Sequence, residues 1–158
     1  MSRQVFINLP IKDMARSQAF FKSLGFEFNP QFTNEQGACM VISKDHSYAM
    51  LLVEPFFQGF TKKTIADATK TTEVLIALSC ESRQEVDEFV SKALAAGGTA
   101  PNPKQDHGFM YSHGFTDLDG HTWDVRVEWP DGTISRPLSL AVQDIASGKM
   151  LAIRFDLT

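Results

Sequence analysis

The sequence is poor in cysteine, in basic charge and in long apolar runs, and each scarcity removes a class of function. There are two cysteines, Cys39 and Cys80. They form no C-x-x-C pair and both lie inside apolar runs, which points to buried free thiols. Lysine and arginine number 15 against 19 acids, for a net charge of −4. A dedicated nucleic-acid binder carries a basic stripe to neutralise phosphates, so no nucleic-acid partner is expected. A small anionic ligand stays open, because local fields matter more there. No apolar run is long enough to span a membrane. Met1-Ser2-Arg3-Gln4 leads directly into a strand pattern without the apolar stretch of a signal peptide. The expectation is a soluble cytoplasmic protein with no membrane partner. Glycine-rich phosphate loops, nucleotide fingerprints and a Ser-His-Asp arrangement are also missing.

What is present suits a packed domain. Of 158 residues, 43% are hydrophobic and 22% charged, values at which a core forms and disorder does not. Thirteen phenylalanines stand against two tyrosines. Phe brings large apolar area without a polar handle, which serves a core and an apolar cavity alike.

The organisation repeats. Val5-Phe6-Ile7-Asn8-Leu9 alternates as a strand, with Val5, Ile7 and Leu9 on one face and Phe6 and Asn8 on the other. Pro10 closes it, Asp13 is an N-cap, and Met14, Ser17, Phe21 and Leu24 follow at helical spacing to Gly25. Strands are predicted at 26–28, 38–42 and 48–53, giving β-α-β-β-β over about fifty residues. An aromatic segment, 54–60, and a polar one, 61–71, connect to the second unit; the polar segment reads as a linker or a lid. The pattern then recurs: a strand at 74–80, the capping box Ser82-Arg83-Gln84-Glu85 with a helix carrying Val86, Phe89, Val90 and Ala93, the helix stop Gly97-Gly98, and strands at 109–115 and 121–127 around the turn Asp117-Leu118-Asp119-Gly120. The repeat distance is roughly seventy residues. The fold class is α+β: two βαβββ modules, 3–54 and 72–127, within a domain 1–128, their sheets joined side by side into a curved mixed sheet with a concave cup, followed by a C-terminal extension, 129–158.

Asn8-Leu9-Pro10-Ile11-Lys12-Asp13-Met14, Phe20-Phe21 and Leu24-Gly25-Phe26 resemble the opening of the vicinal-oxygen-chelate superfamily, the glyoxalase/bleomycin-resistance/dioxygenase proteins. Phe115-Thr116-Asp117-Leu118-Asp119-Gly120-His121-Thr122-Trp123-Asp124 is similar to their closing hairpin, usually written with a D-P-D-G turn. The resemblance implies a cup that, in the enzymes, holds one divalent metal through His, Glu or Gln on the first and last strands of each module. Those positions fall here on Phe6, on Leu51 or Leu52 with Glu54 just beyond, on Leu75 and on Asp124. Phe and Leu cannot ligate a metal, and one carboxylate does not make a site. No metal cofactor is therefore expected, and most of the family's metal ligands read as lost.

The ligand-binding residues expected in the cup are Phe6, Asn8, Tyr111, His113, Trp123 and Asp124. Tyr111 and His113 would serve as hydrogen-bond donor and general base. Asp124 and Arg126 share a face two residues apart, either as a satisfied pair or as ligand contacts. His107, His113 and His121 lack a metal-binding spacing. No catalytic residue is assigned. The leading reading is a homodimer that binds a small, partly apolar molecule, with binding itself as the function, as in the drug-sequestering resistance proteins it resembles. The alternative is a metal-dependent lyase or isomerase using Glu54, His113 and Asp124; a third class is an interaction protein whose tail is the partner surface. In that tail, 138–143 and 150–156 read as a hairpin. Trp129-Pro130-Asp131-Gly132, Arg136-Pro137 and Gln143-Asp144-Ile145-Ala146-Ser147-Gly148-Lys149 look like the start of a phage Mu-type transposase core, with Asp144 matching its first acidic residue.

Overall fold

The computed structural model describes residues 3–129. The first module runs β1 (Val5–Ile11), α1 (Met14–Ser23), β2 (Glu27–Asn29), β3 (Gly37–Ser43) and β4 (Ser47–Val53). A short helix α2 (Glu54–Phe57) opens the connection. The second module runs β5 (Leu75–Ser79), α3 (Arg83–Ala95), β6 (Gln105–Asp106), β7 (Met110–Thr116) and β8 (Thr122–Glu128).

Local chemistry sets these bounds. Asp13 caps α1 by accepting the Arg16 N–H at 2.9 Å, and Gly25 takes the left-handed conformation that ends it, at φ +102°. Ser82 caps α3 by accepting the Glu85 N–H at 3.1 Å, while Glu85 reaches back to the Glu81 N–H at 2.7 Å. β1 continues through Pro10, which the sequence reading had closing the strand. β1 is an edge strand, where proline's missing donor is tolerated.

The two modules share one topology. Their strand orders are β1-β4-β3-β2 and β5-β8-β7-β6, with β1 parallel to β4 and β5 parallel to β8. Both modules are as expected, but they form two four-stranded sheets rather than one continuous sheet. What joins them is a common core. Phe21 of α1 meets Trp123 of β8 edge-on at 5.4 Å, Phe20 lies 6.3 Å from Phe115 of β7, and Phe26 lies 5.7 Å from Phe89 of α3. Leu9, Ile11, Met40 and Leu51 of the first sheet and Ile76, Phe115, Trp123 and Val125 of the second belong to the same buried cluster. Burying each such side chain contributes about 1.5–3 kcal/mol. Each sheet thus covers one face with helices, and its alternate residues point away from the shared core.

The Asp117–His121 turn fastens the modules together. Asp119 accepts the Lys12 backbone N–H at 2.9 Å, the Ser17 hydroxyl at 3.0 Å and an Arg16 guanidinium N–H at 3.4 Å, all at the first turn of α1. His121 Nε2 donates to the Pro10 carbonyl at 2.7 Å. Asp117, buried, accepts the His121 and Asp119 N–H groups and the Trp123 indole N–H at 2.9–3.0 Å. Burial pushes the Asp117 carboxyl above the usual carboxylate range, against the opposing pull of His121 and these hydrogen bonds.

Among the described residues no helix is long and apolar enough to cross a membrane. The hairpin expected at 138–143 and 150–156, and Asp144, lie outside the described residues.

The seam yields a first test. Asp119→Ala removes three hydrogen bonds at a nearly buried carboxylate and should cost about 2 kcal/mol. Glu35→Ala, on the exposed surface, should stay within about 0.5 kcal/mol. Urea unfolding of both variants measures the difference; equal midpoints would mean the seam carries no such weight.

Candidate functional site: the outward faces of the two sheets

Strand alternation decides which side chains are available. On the first sheet Phe6, Asn8, Tyr48, Met50 and Cys39 share the outward face. Phe6 pairs with Tyr48, Asn8 with Met50 and Cys39 with Met50. The Phe6 and Tyr48 rings stack at 4.9 Å and 12°. A cavity of about 510 Å³ lies over them, lined by Gln4, Phe6, Asn29, Phe32, Cys39, Tyr48 and Met50. Phe32 is 63% exposed and Phe6 51%, unusual for rings of this size. Phe32 is carried by a one-turn 3-10 helix that Asn29 caps by accepting the Gln31 N–H at 3.0 Å. The Cys39 thiol forms part of the lining, and burial pushes its pKa up.

On the second sheet Asp124 and Arg126 point outward. Arg126 Nε donates to Asp124 Oδ2 at 2.8 Å, Nη2 lies in an ion pair with the same oxygen at 2.7 Å, and Nη1 donates to Glu128 at 3.4 Å and to the Met110 sulfur at 3.9 Å. Burial opposes the guanidinium charge, but the Asp124 hydrogen bond and charge outweigh it and raise the arginine further. The register sets Asp124 between Ala77 and Gly114, and Arg126 between Ser79 and Ser112.

Of the six residues expected in a cup, Phe6, Asn8 and Asp124 face outward and three do not. Trp123 is fully buried against Phe21. Tyr111 and His113 lie on the face of β7 that packs against α3, because Gly114, not His113, stands beside Asp124. Tyr111 donates to Asp87 at 2.6 Å, and burial followed by Asp87 pushes its phenol up. His113 Nε2 donates to the Asn102 carbonyl at 3.0 Å. The error in the sequence reading is one of parity: a single-residue shift exchanges the faces of a strand.

The alternative set of Glu54, His113 and Asp124 is not brought together. Glu54 opens α2 and pairs with Lys12 at 3.1 Å, His113 faces the helix side, and Asp124 is engaged by Arg126. Among the described residues no group of three or more His, Cys, Asp or Glu side chains is arranged to hold a metal. At the positions the resemblance assigned to metal ligands, Phe6 and Leu75 are exposed hydrocarbon, Leu51 is in the core and Leu52 is buried. These four side chains are hydrocarbon and offer no donor to a divalent ion.

The polar linker is fastened. Gln58 donates to the Thr61 and Lys63 carbonyls at 3.0 and 2.9 Å, and Asp67 accepts the Thr69 N–H at 3.0 Å. Between the linker and the seam lies a cleft of about 170 Å³, with Asn8, Glu73 and Thr122 in its wall. Tyr48, Phe32 and Gln4 were not singled out from the sequence. Tyr48 was accessible through its alternation with Met50 on β4; Phe32 and Gln4 gave no periodic signal.

Known proteins bear this architecture out. Residues 3–43 match the family model described as bleomycin resistance protein-like N-terminal. The structure of hypothetical protein SA1046 from S. aureus is similar at 29% identity and a TM-score of 0.67, covering 80% of this chain and 95% of that one. A glyoxalase-related enzyme from Fulvimarina pelagi is similar at 20% identity and a TM-score of 0.67, over 81% and 89% of the two chains. The fosfomycin resistance protein FosX from Listeria monocytogenes is similar at 18% identity and a TM-score of 0.57, over 89% and 98%. A search of curated proteins finds no significant match. The fold is that of the glyoxalase/bleomycin-resistance/dioxygenase proteins. Nothing in these likenesses supports the transposase-like reading of the tail.

The thiols yield the second test. Burial, with Glu85 adding to it, pushes Cys80 up to about 11, and burial raises Cys39. Only the thiolate reacts readily, so iodoacetamide at pH 8 should label the folded chain slowly and the urea-unfolded chain promptly at both positions. Rapid labelling of the folded chain would contradict the burial described.

Proposed function

We propose that this glyoxalase/bleomycin-resistance-like chain binds a small, partly apolar molecule against the outward face of its first sheet, and that it does so without a resident metal. The observation that carries the reading is the stacked Phe6–Tyr48 pair. It lies beneath a cavity of about 510 Å³ whose wall includes the exposed Phe32. Apolar area left open in a concavity with a few polar groups at its rim is the usual composition of a small-molecule site. The rim here is Gln4 and Asn29. The bleomycin-resistance-like match over residues 3–43 spans Phe6, Asn29, Phe32 and Cys39 of this lining. FosX is by its name a fosfomycin resistance protein. Sequestration of a small compound is the corresponding role proposed here, with no catalytic residue assigned.

The molecule is further proposed to act as a homodimer. Val5 and Leu75 are exposed on the edge strands β1 and β5. A second copy would cover this apolar area.

Two measurements test these readings. Fluorescence titration with the neutral probe N-phenyl-1-naphthylamine should show binding that Phe6→Asp weakens by about tenfold or more. The variant's circular dichroism should be unchanged, since Phe6 is half-exposed. An undiminished titration would remove Phe6 from the site. Sedimentation equilibrium should return twice the 17.6 kDa chain mass, and a monomer mass at micromolar concentration would remove the dimer.

A further inference from the structure

A further cavity lies on the helix-covered side of the second sheet, opposite the outward residues of β8. It has a volume of about 590 Å³ and is bounded by α3, by residues 100–104 and by the His113 ring of β7. It shares no residue with the apolar cavity over Phe6 and Tyr48.

Its walls are fixed from several directions. Before the segment 100–104, the Thr99 and Thr116 backbones exchange hydrogen bonds at 3.1 and 2.7 Å. In its middle, His113 Nε2 donates to the Asn102 carbonyl at 3.0 Å. After it, β6 pairs with β7. Pro101 and Pro103 fix their own φ angles on either side of Asn102. On the helix side, Tyr111 donates to Asp87 at 2.6 Å and ties α3 to β7. A cavity whose walls are held in this way loses little freedom when a ligand enters.

The lining is divided by character. Asp87, Val90, Ser91 and Leu94 follow one another at i, i+3, i+4 and i+7, so they share one face of α3. Leu94 lies about 10 Å along the helix from Asp87. Leu94 is 49% exposed although it lines a cavity, and the exposed Pro101 and Pro103 add further hydrocarbon. The charges are Asp87 and Lys104. The Lys104 ammonium lies 3.9 Å from Asp87 Oδ1 and 6.0 Å from the centre of the Tyr111 ring. An ion pair at that distance is too long for a hydrogen bond. Cation and carboxylate are neighbours without being locked together, and both side chains are about half exposed.

These charges define the ligand. A carboxylate head would be drawn to Lys104 and repelled by Asp87, and an amine head would meet the reverse. A head that carries both charges finds a partner for each. In an α-amino acid the ammonium nitrogen and the carboxyl carbon lie about 2.5 Å apart. That spacing lets one head address both members of the Asp87–Lys104 pair. An apolar side chain on the same carbon has Val90, Leu94 and the two prolines to cover it.

We propose that the cavity between α3 and residues 100–104 binds a free α-amino acid with an apolar side chain, its carboxylate on Lys104 and its ammonium on Asp87. The site goes beyond the apolar-binding reading and does not depend on it.

The test holds the side chain constant and removes one charge at a time. Phenylalanine, N-acetylphenylalanine and phenylalaninamide are titrated into the isotope-labelled full chain and followed by amide chemical shifts. Phenylalanine should bind about fivefold more tightly than either derivative, a contrast suited to half-exposed charges. Its shifts should centre on residues 87–94 and 100–104. Lys104→Gln should weaken phenylalanine about fivefold and leave phenylalaninamide, which has no carboxylate, unchanged. Asp87→Asn keeps an acceptor for Tyr111. It should weaken phenylalanine about fivefold and leave N-acetylphenylalanine, which has no ammonium, unchanged. This crossed pattern separates recognition of the head from a loss of folding, which would weaken all three ligands alike. Phe6→Asp should leave phenylalanine binding as it is. Equal or tighter binding of either derivative, shifts centred elsewhere, no phenylalanine binding at millimolar concentration, or a uniform loss in the two variants would each overturn the proposal. Loss of naphthylamine binding with phenylalanine binding intact would sink only the apolar site.

Discussion

Three side chains of one turn decide how the two halves of this molecule sit together. Asp119 reaches across to the first turn of α1, His121 to the last residues of β1, and Asp117 holds the indole of Trp123 in the core between them. These are hydrogen bonds to buried or nearly buried groups, where breaking one partner costs about 1–3 kcal/mol because the other is left unsatisfied. The negative end of the turn also meets the positive end of α1, which Asp13 already caps. The aromatic contacts of Phe20 and Phe21 with Phe115 and Trp123 follow from this arrangement: the turn sets the distance at which α1 can lie on the second sheet.

Because the modules share a core through their helix-covered faces, each sheet keeps one face for other work. The two faces have diverged although their topologies match. The first is aromatic and sulfur-bearing, with Phe6, Tyr48, Met50 and Cys39 in adjoining rows. The second sets a fixed ion pair among alanine, glycine and serine. The difference is one of side chains at corresponding strand positions on a common backbone plan, which is how one fold supports unrelated ligands.

Much of the fold was legible because its signals are local. The capping box at Ser82, the cap at Asp13, the Gly25 stop and the repeated strand–helix–meander order each follow from short-range chemistry, and the structure realises them. The parity of β7 was not legible. Tyr111, Ser112 and His113 contain no clean alternation, and only pairing with β8 shows that Tyr111 and His113 turn toward α3. Trp123 was misplaced for the related reason that a large aromatic suits a cup and a core equally. Phe6, Asn8 and Asp124 were placed on the outward faces because the alternation of β1 and β8 is strict. The separation of the sheets could not be read either. It depends on contacts between residues about a hundred positions apart, which no sequence pattern encodes.

The linker between the modules looks from its composition like the part of the chain most open to change, yet Gly120 withdraws part of it. Gly120 lies at φ +93°, and a side chain there would come within 2.6 Å of the backbone at Ala68 and Thr69. The chain at 68–69 is consequently wedged against a turn that has no room to yield. Attaching a fluorescent tag would encounter two regimes within a dozen residues: accommodation at the exposed side chains of Lys62 and Lys63, and rejection at 68–69, where lengthening the chain would push on the same turn that clasps α1.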